Sequence, residues 1–160
     1  MTESAVKSKK TAQVLEAVYK NVKMASDSIL TLMPKVKDAR LKQDMTTQLS
    51  VFDAFASRAA KLLGEQGVKP EEENLVTRMS AKMGSMMNTM RDSTTTHLVE
   101  MLVEGATMGV NDMLKQLRES ENSAVCESAL RLARDVCEYE EKLVEDMKDA
   151  YLRQAVGKGE

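Results

Sequence analysis

The chain has 160 residues, of which 42% are hydrophobic and 30% charged, and its formal net charge at pH 7 is −2. This length supports one buried core, and no break in composition divides it, so we expect a single helical domain over residues 1–160. Because the two signs of charge are interspersed and nearly balanced, nothing indicates binding to nucleic acid or to an anionic membrane.

Composition also indicates the fold class. Aromatic residues make up only 3% of the chain, and glycine (7) and proline (2) are scarce, whereas methionine (13) is abundant. This profile is typical of long helices packed by flexible aliphatic side chains. The N-terminus lacks the apolar stretch of a secretory signal, and glutamates interrupt the longest apolar run, from Leu98 to Val110. We therefore expect an all-α, cytoplasmic protein without a membrane span.

The first two helices are predicted to form a hairpin. Residues 1–10 are expected to form a flexible arm, followed by a helix from Thr11 to Met33 that Pro34 ends. A second helix is predicted from Asp38, its N-cap, to Gln66, before a glycine-rich stretch. The short link predicts antiparallel packing. The predicted buried row of the second helix is Leu41, Met45, Gln48, Phe52, Phe55, Ala59 and Leu62.

Residues 71–92 are predicted to form a crossover helix of about 33 Å, long enough to cross the whole bundle. Methionines recur on one side of it, every three or four positions. We interpret this stripe as adaptable packing against the bundle or a second subunit. Ligation of Cu(I) by the thioethers is the alternative, although such sites normally also use Cys or His. The stripe consists of Met79, Met83, Met86 and Met90.

A central helix is predicted from Ser93 to Glu119. Two adjacent apolar rows cover so much of its circumference that we expect neighbours to surround it almost completely. Gly105 and Gly109 suggest close approach of another backbone, because glycine otherwise weakens a helix. One narrow polar row remains, and it either faces water or supplies ligands to the bundle interior. That row is His97, Glu100, Glu104, Thr107 and Asn111.

The last helix is predicted from about Ser123 to Tyr151, followed by a loose tail at 154–160. Cys126 and Cys137 lie eleven residues apart on it, about 16 Å along the axis, so they cannot form a disulfide with each other. We expect both to be small core or interface residues. An intermolecular thiol role is the alternative.

Two stretches carry a resemblance to a known family. HLVEMLVEGATMGVNDMLKQL and LARDVCEYEEKLVEDMKD resemble the C-terminal half of small bacterial ferritin-like proteins of unassigned function, and KVKDARLKQDM resembles the same group more weakly. The resemblance implies a ferritin-like up-down four-helix bundle with a helical crossover segment between the second and third long helices.

Ferritin-like enzymes hold two metal ions with Glu-x-x-His pairs on two helices and one further carboxylate from each of the others. This chain has a single histidine, in the reversed order His97-x-x-Glu100, so it cannot supply two such pairs. Glu104, Glu140 and Asp53 are the best supporting carboxylates. Together these five residues are the candidate ligands for one Fe, Mn or Zn ion.

Three hypotheses about function follow. We favour a non-catalytic bundle that self-associates, most simply as a homodimer, because its apolar surface exceeds what four helices need among themselves. A degenerate divalent-metal site with weak redox or storage activity is the second hypothesis, and a binder of an apolar small molecule is the third. The sequence contains no Ser/His/Asp arrangement, phosphate-binding glycine loop or CxxC motif, which argues against enzymatic activity of those kinds.

Overall fold

The computed structural model describes residues 2–70 and 93–153, and within these ranges the chain is helical, without a strand. The predicted all-α class is therefore confirmed for the described residues. The predicted crossover helix at 71–92, with its methionine stripe, and the predicted tail at 154–160 lie outside them. Four long helices form the bundle: α1 (Glu3–Leu32), α2 (Ala39–Glu65), α3 (Thr95–Ser120) and α4 (Glu127–Met147).

The first helix begins earlier than the sequence analysis expected. Instead of a flexible arm at residues 1–10, α1 starts at Glu3, and the Thr2 side chain caps it by accepting a hydrogen bond from the Ala5 backbone amide at 3.1 Å. One turn later the Ser8 hydroxyl donates to Gln66 Oε1 at 2.8 Å. This contact with the end of α2 adds tertiary support to a first turn that periodicity alone did not identify.

The second helix begins and ends as predicted. Asp38 is its N-cap, and the Asp38 carboxylate accepts the Leu41 amide at 2.8 Å. After Glu65 the chain turns through Gly67, whose φ of +73° lies in the left-handed region that glycine adopts without strain. The link from α1 is a 3-10 turn, Met33–Lys35, so the two helices form an antiparallel hairpin.

Contacts between helices establish the direction of each one. The start of α4 lies beside the start of α1, because the Cys126 amide donates to Thr11 Oγ1 at 2.9 Å. The end of α4 lies beside the start of α2, because the hydroxyl of Tyr151 donates to Asp44 at 2.5 Å. Since α3 and α4 form a second antiparallel hairpin, the four helices run up, down, down and up.

The interface between α2 and α4 contains an aromatic cluster. The Tyr139 ring packs edge-on against Phe52, with centroids 5.4 Å apart, and against Phe55 at 5.8 Å. As a result Phe55 lies at the edge of the core and is only half-buried, while Ala56 and Leu63 are buried instead of the predicted Phe55 and Leu62. At these two positions the predicted buried row of α2 is thus wrong by one residue.

The third helix is less enclosed than expected. Its buried side chains form one face, and on the other sides Gly105, Met108 and Leu114 are exposed, the last two by 52% and 42%. Among the described residues, α3 is therefore an amphipathic wall of the bundle, not a rod with neighbours all round. The buried face consists of Leu98, Val99, Leu102, Val103, Ala106 and Met113.

The fourth helix begins four residues later than predicted, at Glu127, because Ser123 and Asn122 belong to the turn after α3 and Asn122 has a φ of +65°. At its other end it widens into a π-helical turn, Lys148–Arg153. Among the described residues, no helix combines the length and the apolarity that crossing a membrane requires.

Candidate functional site

One acidic side chain lies inside the bundle. Glu140 of α4 is 1% exposed, the same degree of burial as the core leucines Leu15 and Leu98. It lies four residues after Val136 and three before Leu143, so the helical period places it on the buried face of α4. Burying a carboxyl group costs free energy unless the group is hydrogen-bonded or neutral, which makes Glu140 the most unusual residue of the described core.

A glycine on α3 provides the space for this carboxyl group. A Cβ atom built on Gly109 would lie 1.9 Å from Glu140 Oε2 and 2.8 Å from Glu140 Cδ. No other residue type would fit at position 109 without moving the acid. The close approach predicted for Gly109 is real, but it is made by a side chain instead of a backbone, and a Cβ on Gly105 would meet nothing within 4 Å.

The first helix contributes an amide to the same place. Asn21 Nδ2 donates to the backbone carbonyl of Gly109 at 2.9 Å, and Asn21 itself is 8% exposed. Asn21, Gly109 and Glu140 therefore join α1, α3 and α4 at one level of the bundle. We call these three residues the polar junction.

Electrostatics at the polar junction favour a neutral carboxyl group. Burial, followed by repulsion from Asp112 on α3, raises the pKa of Glu140 to about 8, although hydrogen bonding by Asn21 acts in the opposite direction. Glu140 Oε1 has no hydrogen-bond partner among the described residues. A carboxyl group that binds its proton at neutral pH avoids a buried negative charge with an unsatisfied oxygen.

The other candidate metal ligands lie elsewhere. His97 and Glu100 face each other at the start of α3, with Nδ1 and Oε2 3.8 Å apart and both side chains substantially exposed. Twelve residues separate His97 from Gly109, so His97 lies about 18 Å along the helix from the level of Glu140. Glu104 is exposed on α3, and Asp53 of α2 accepts a hydrogen bond from Ser26 at 3.2 Å.

These positions disperse the five candidate ligands over separate parts of the bundle. In residues 2–70 and 93–153, no three His, Cys, Asp or Glu side chains are grouped so that they could hold a metal ion. The polar junction itself offers one carboxyl group and one amide, too few ligands for the sites that Fe, Mn or Zn occupy in proteins.

The two cysteines occupy different environments. Cys137 is 4% exposed, and burial together with a hydrogen bond to Glu141 raises the pKa of its thiol to about 12. It is therefore an unreactive thiol at neutral pH. Cys126 is half-buried at the N-cap of α4, at the end of the bundle.

A cleft of about 610 Å³ lies between α2 and the end of α4. Several of its polar side chains bond to one another: Asp44 accepts from the Tyr151 hydroxyl, and Lys142 pairs with Asp146 at 2.6 Å. Arg40 stacks on the ring of Tyr151 with its guanidinium carbon 5.5 Å from the centroid. Glu140 is not part of its lining, so the polar junction and this cleft are separate features.

Sequence reasoning identified Glu140 and expected a close approach at Gly109, but it did not connect the two residues and did not single out Asn21. The sequence does mark Gly109, because a glycine on an apolar helix face weakens the helix and so indicates that a neighbouring group occupies the space of a side chain. Asn21 was visible as an amide within the apolar pattern of α1. Placing Asn21, Gly109 and Glu140 together requires the alignment of the helices along one another. The periodicity within each helix does not give that alignment.

Comparisons of the chain with protein-family models, with curated proteins and with solved structures find no match.

Proposed function

We propose that this chain is a ferritin-like helical bundle that acts through self-association and not through catalysis. The order up, down, down, up supports the ferritin-like part, because that order requires one long connection between the second and third helices. The dispersed candidate ligands and the enclosed position of Glu140 support a role other than metal chemistry.

The observation that carries the proposal is a pair of exposed methionines beside the polar junction. Met24 is 38% exposed and Met108 is 52% exposed. Met24 lies one turn beyond Asn21 on α1, and Met108 precedes Gly109 on α3, so the Asn21–Gly109 hydrogen bond places both near one level of the bundle. Two adaptable apolar side chains that are exposed near one level of α1 and α3 suit contact with a second copy.

The metal-binding and small-molecule hypotheses have less support. A metal site built on His97 and Glu140 would have to join two levels of the bundle about 18 Å apart, those of His97 and Gly109 on α3. Most residues that line the two clefts described, of about 610 and 420 Å³, are charged or polar, and a single methionine, Met147, is among them. Neither cleft is the methionine-lined space between helices that the small-molecule hypothesis expects.

Size-exclusion chromatography with light scattering at tens of micromolar tests the proposal. We expect about twice the chain mass of 17.8 kDa for the native chain. The double variant Met24→Asp/Met108→Asp should be monomeric, because two carboxylates cannot be buried at the interface.

Leu30→Asp/Leu114→Asp is the matched control. Each leucine is exposed, by 54% and 42%, and lies six residues after one of the methionines, about 120° around its helix. This variant should remain dimeric. A monomeric native chain would contradict self-association, and a dimer broken only by the leucine substitutions would contradict the assigned face.

A further inference from the structure

The polar junction has a property that self-association does not use: its carboxyl group is buried and has an oxygen without a hydrogen-bond partner among the described residues. Glu140 Oε2 occupies the space where a side chain at position 109 would begin, so the carboxyl group cannot move toward α3. Its other oxygen, Oε1, is enclosed and lacks a donor among the described residues. The geometry therefore accommodates a neutral carboxyl group and offers no cation to balance an ionised one.

The groups that face Glu140 from each packed helix support this. From α3 comes the carboxylate of Asp112, which repels a negative charge, and from α1 comes the uncharged amide of Asn21. On α4 the neighbouring buried group is the thiol of Cys137, which is itself un-ionised at neutral pH. Among the described residues, no lysine, arginine or histidine acts appreciably on the pKa of Glu140.

We propose that Glu140 is a proton-dependent lock: its protonated form holds α3 against α1 and α4 at Gly109, and loss of the proton at mildly alkaline pH loosens α3 there. An ionised Glu140 would place a second negative charge near Asp112 without a compensating partner. Outward movement of α3 would relieve this repulsion, because α3 is exposed on the side away from Gly109, at Leu114.

The effect of pH on stability has a definite sign. The pKa of Glu140 rises from an ordinary value of 4.5 to about 8 on folding. Below the ordinary value both states carry the proton, and between the two values only the folded state does. Unfolding then releases a proton, so the folded state loses stability as pH rises through this window, and the loss stops above the folded pKa.

Denaturant unfolding at one protein concentration, repeated from pH 5 to pH 9, tests the lock on the full chain. The control is Glu140→Gln, which keeps the shape of the side chain but cannot ionise. Between about pH 5 and 7.5, the unfolding constant of the native chain should rise relative to that of Glu140→Gln by close to tenfold per pH unit, and then level off. A ratio that stays constant over this range would overturn the proposal.

Two further variants guard against a substitution that fails to fold. Asp112→Asn removes the repelling charge from an exposed position, so the levelling-off should move to lower pH. Glu138→Gln, which neutralises an exposed acid on the same helix, should leave the pH profile unchanged. An Asp112→Asn profile identical to that of the native chain would count against the assigned repulsion.

The loosening itself is measured by amide hydrogen exchange. After correction for the intrinsic pH dependence of exchange, amides of α3 around Gly109 should lose protection above pH 8 in the native chain and keep it in Glu140→Gln. Carbon-13 NMR of glutamate-labelled chain should show one carboxyl signal that titrates near pH 8. If every glutamate titrates in the ordinary acidic range, or if protection around Gly109 does not change with pH, the lock does not exist.

Discussion

Two glycines four residues apart on α3 have opposite surroundings. Gly109 faces the carboxyl group of Glu140 so closely that a methyl group would overlap it, whereas Gly105 has open space where its side chain would be. Both are helix-interior positions, so both lose the same stability relative to alanine in an isolated helix. The difference between the effects of adding a side chain at Gly105 and at Gly109 therefore measures the packing contribution of the polar junction.

Substitution of each glycine by alanine should therefore change stability in opposite directions. We expect Gly105→Ala to gain up to about 1 kcal/mol from helix propensity alone. Gly109→Ala should lose about 1 to 3 kcal/mol in spite of the same propensity gain, because Glu140 is enclosed and must adopt a strained position. Denaturant unfolding at pH 6 measures both, and equal gains in the two variants would show that Glu140 moves aside freely.

At the level of whole elements, local side-chain chemistry explains where the helices begin. Asp38 was identified from the sequence and caps α2, because a carboxylate before a helix satisfies an otherwise unpaired amide. The extension of α1 back to Glu3 was not identified, since the first turns contain few apolar residues. They are stabilised by a tertiary hydrogen bond from Ser8 to Gln66, the C-cap of α2. The late start of α4 follows from the turn at Asn122.

The N-cap of α2 gives a direct test of this local control. Asp38→Ala should lower the free energy of unfolding by about 1 kcal/mol, because the Leu41 amide loses its acceptor. Asp38→Asn is the matched control and should be close to neutral, since asparagine caps helices about as well as aspartate. Thermal unfolding followed by circular dichroism distinguishes them. Equal losses would mean that the charge of Asp38, and not its hydrogen bond, supports the helix.

On the scale of the whole molecule, the bundle keeps its candidate ligands apart. His97 and Glu100 lie at the start of α3, Glu140 lies in the core, and Asp53 bonds to Ser26 between α1 and α2. A metal ion needs several ligands within coordination distance at once. The arrangement supplies at most two of the five at any one place among the described residues.

Metal analysis should accordingly find no stoichiometric Fe, Mn or Zn in chain purified without a chelator. We expect His97→Ala to have the same metal content and the same melting temperature as the native chain, because His97 makes only an exposed pairing with Glu100. A chelator should not lower either melting temperature. Stoichiometric metal that disappears in His97→Ala would contradict this view and restore the metal-binding hypothesis.

The sequence by itself determined the all-α class, the approximate extent of the four long helices, the Asp38 cap and the burial of most apolar rows. These properties follow from the helical period and from capping chemistry, which act within a few residues along the chain. Only the tertiary structure decided that Glu140 meets Gly109 and Asn21, that His97 lies far from them, and that α3 is open on one side. Those facts depend on the register between helices, which is set by how side chains from distant parts of the chain pack together.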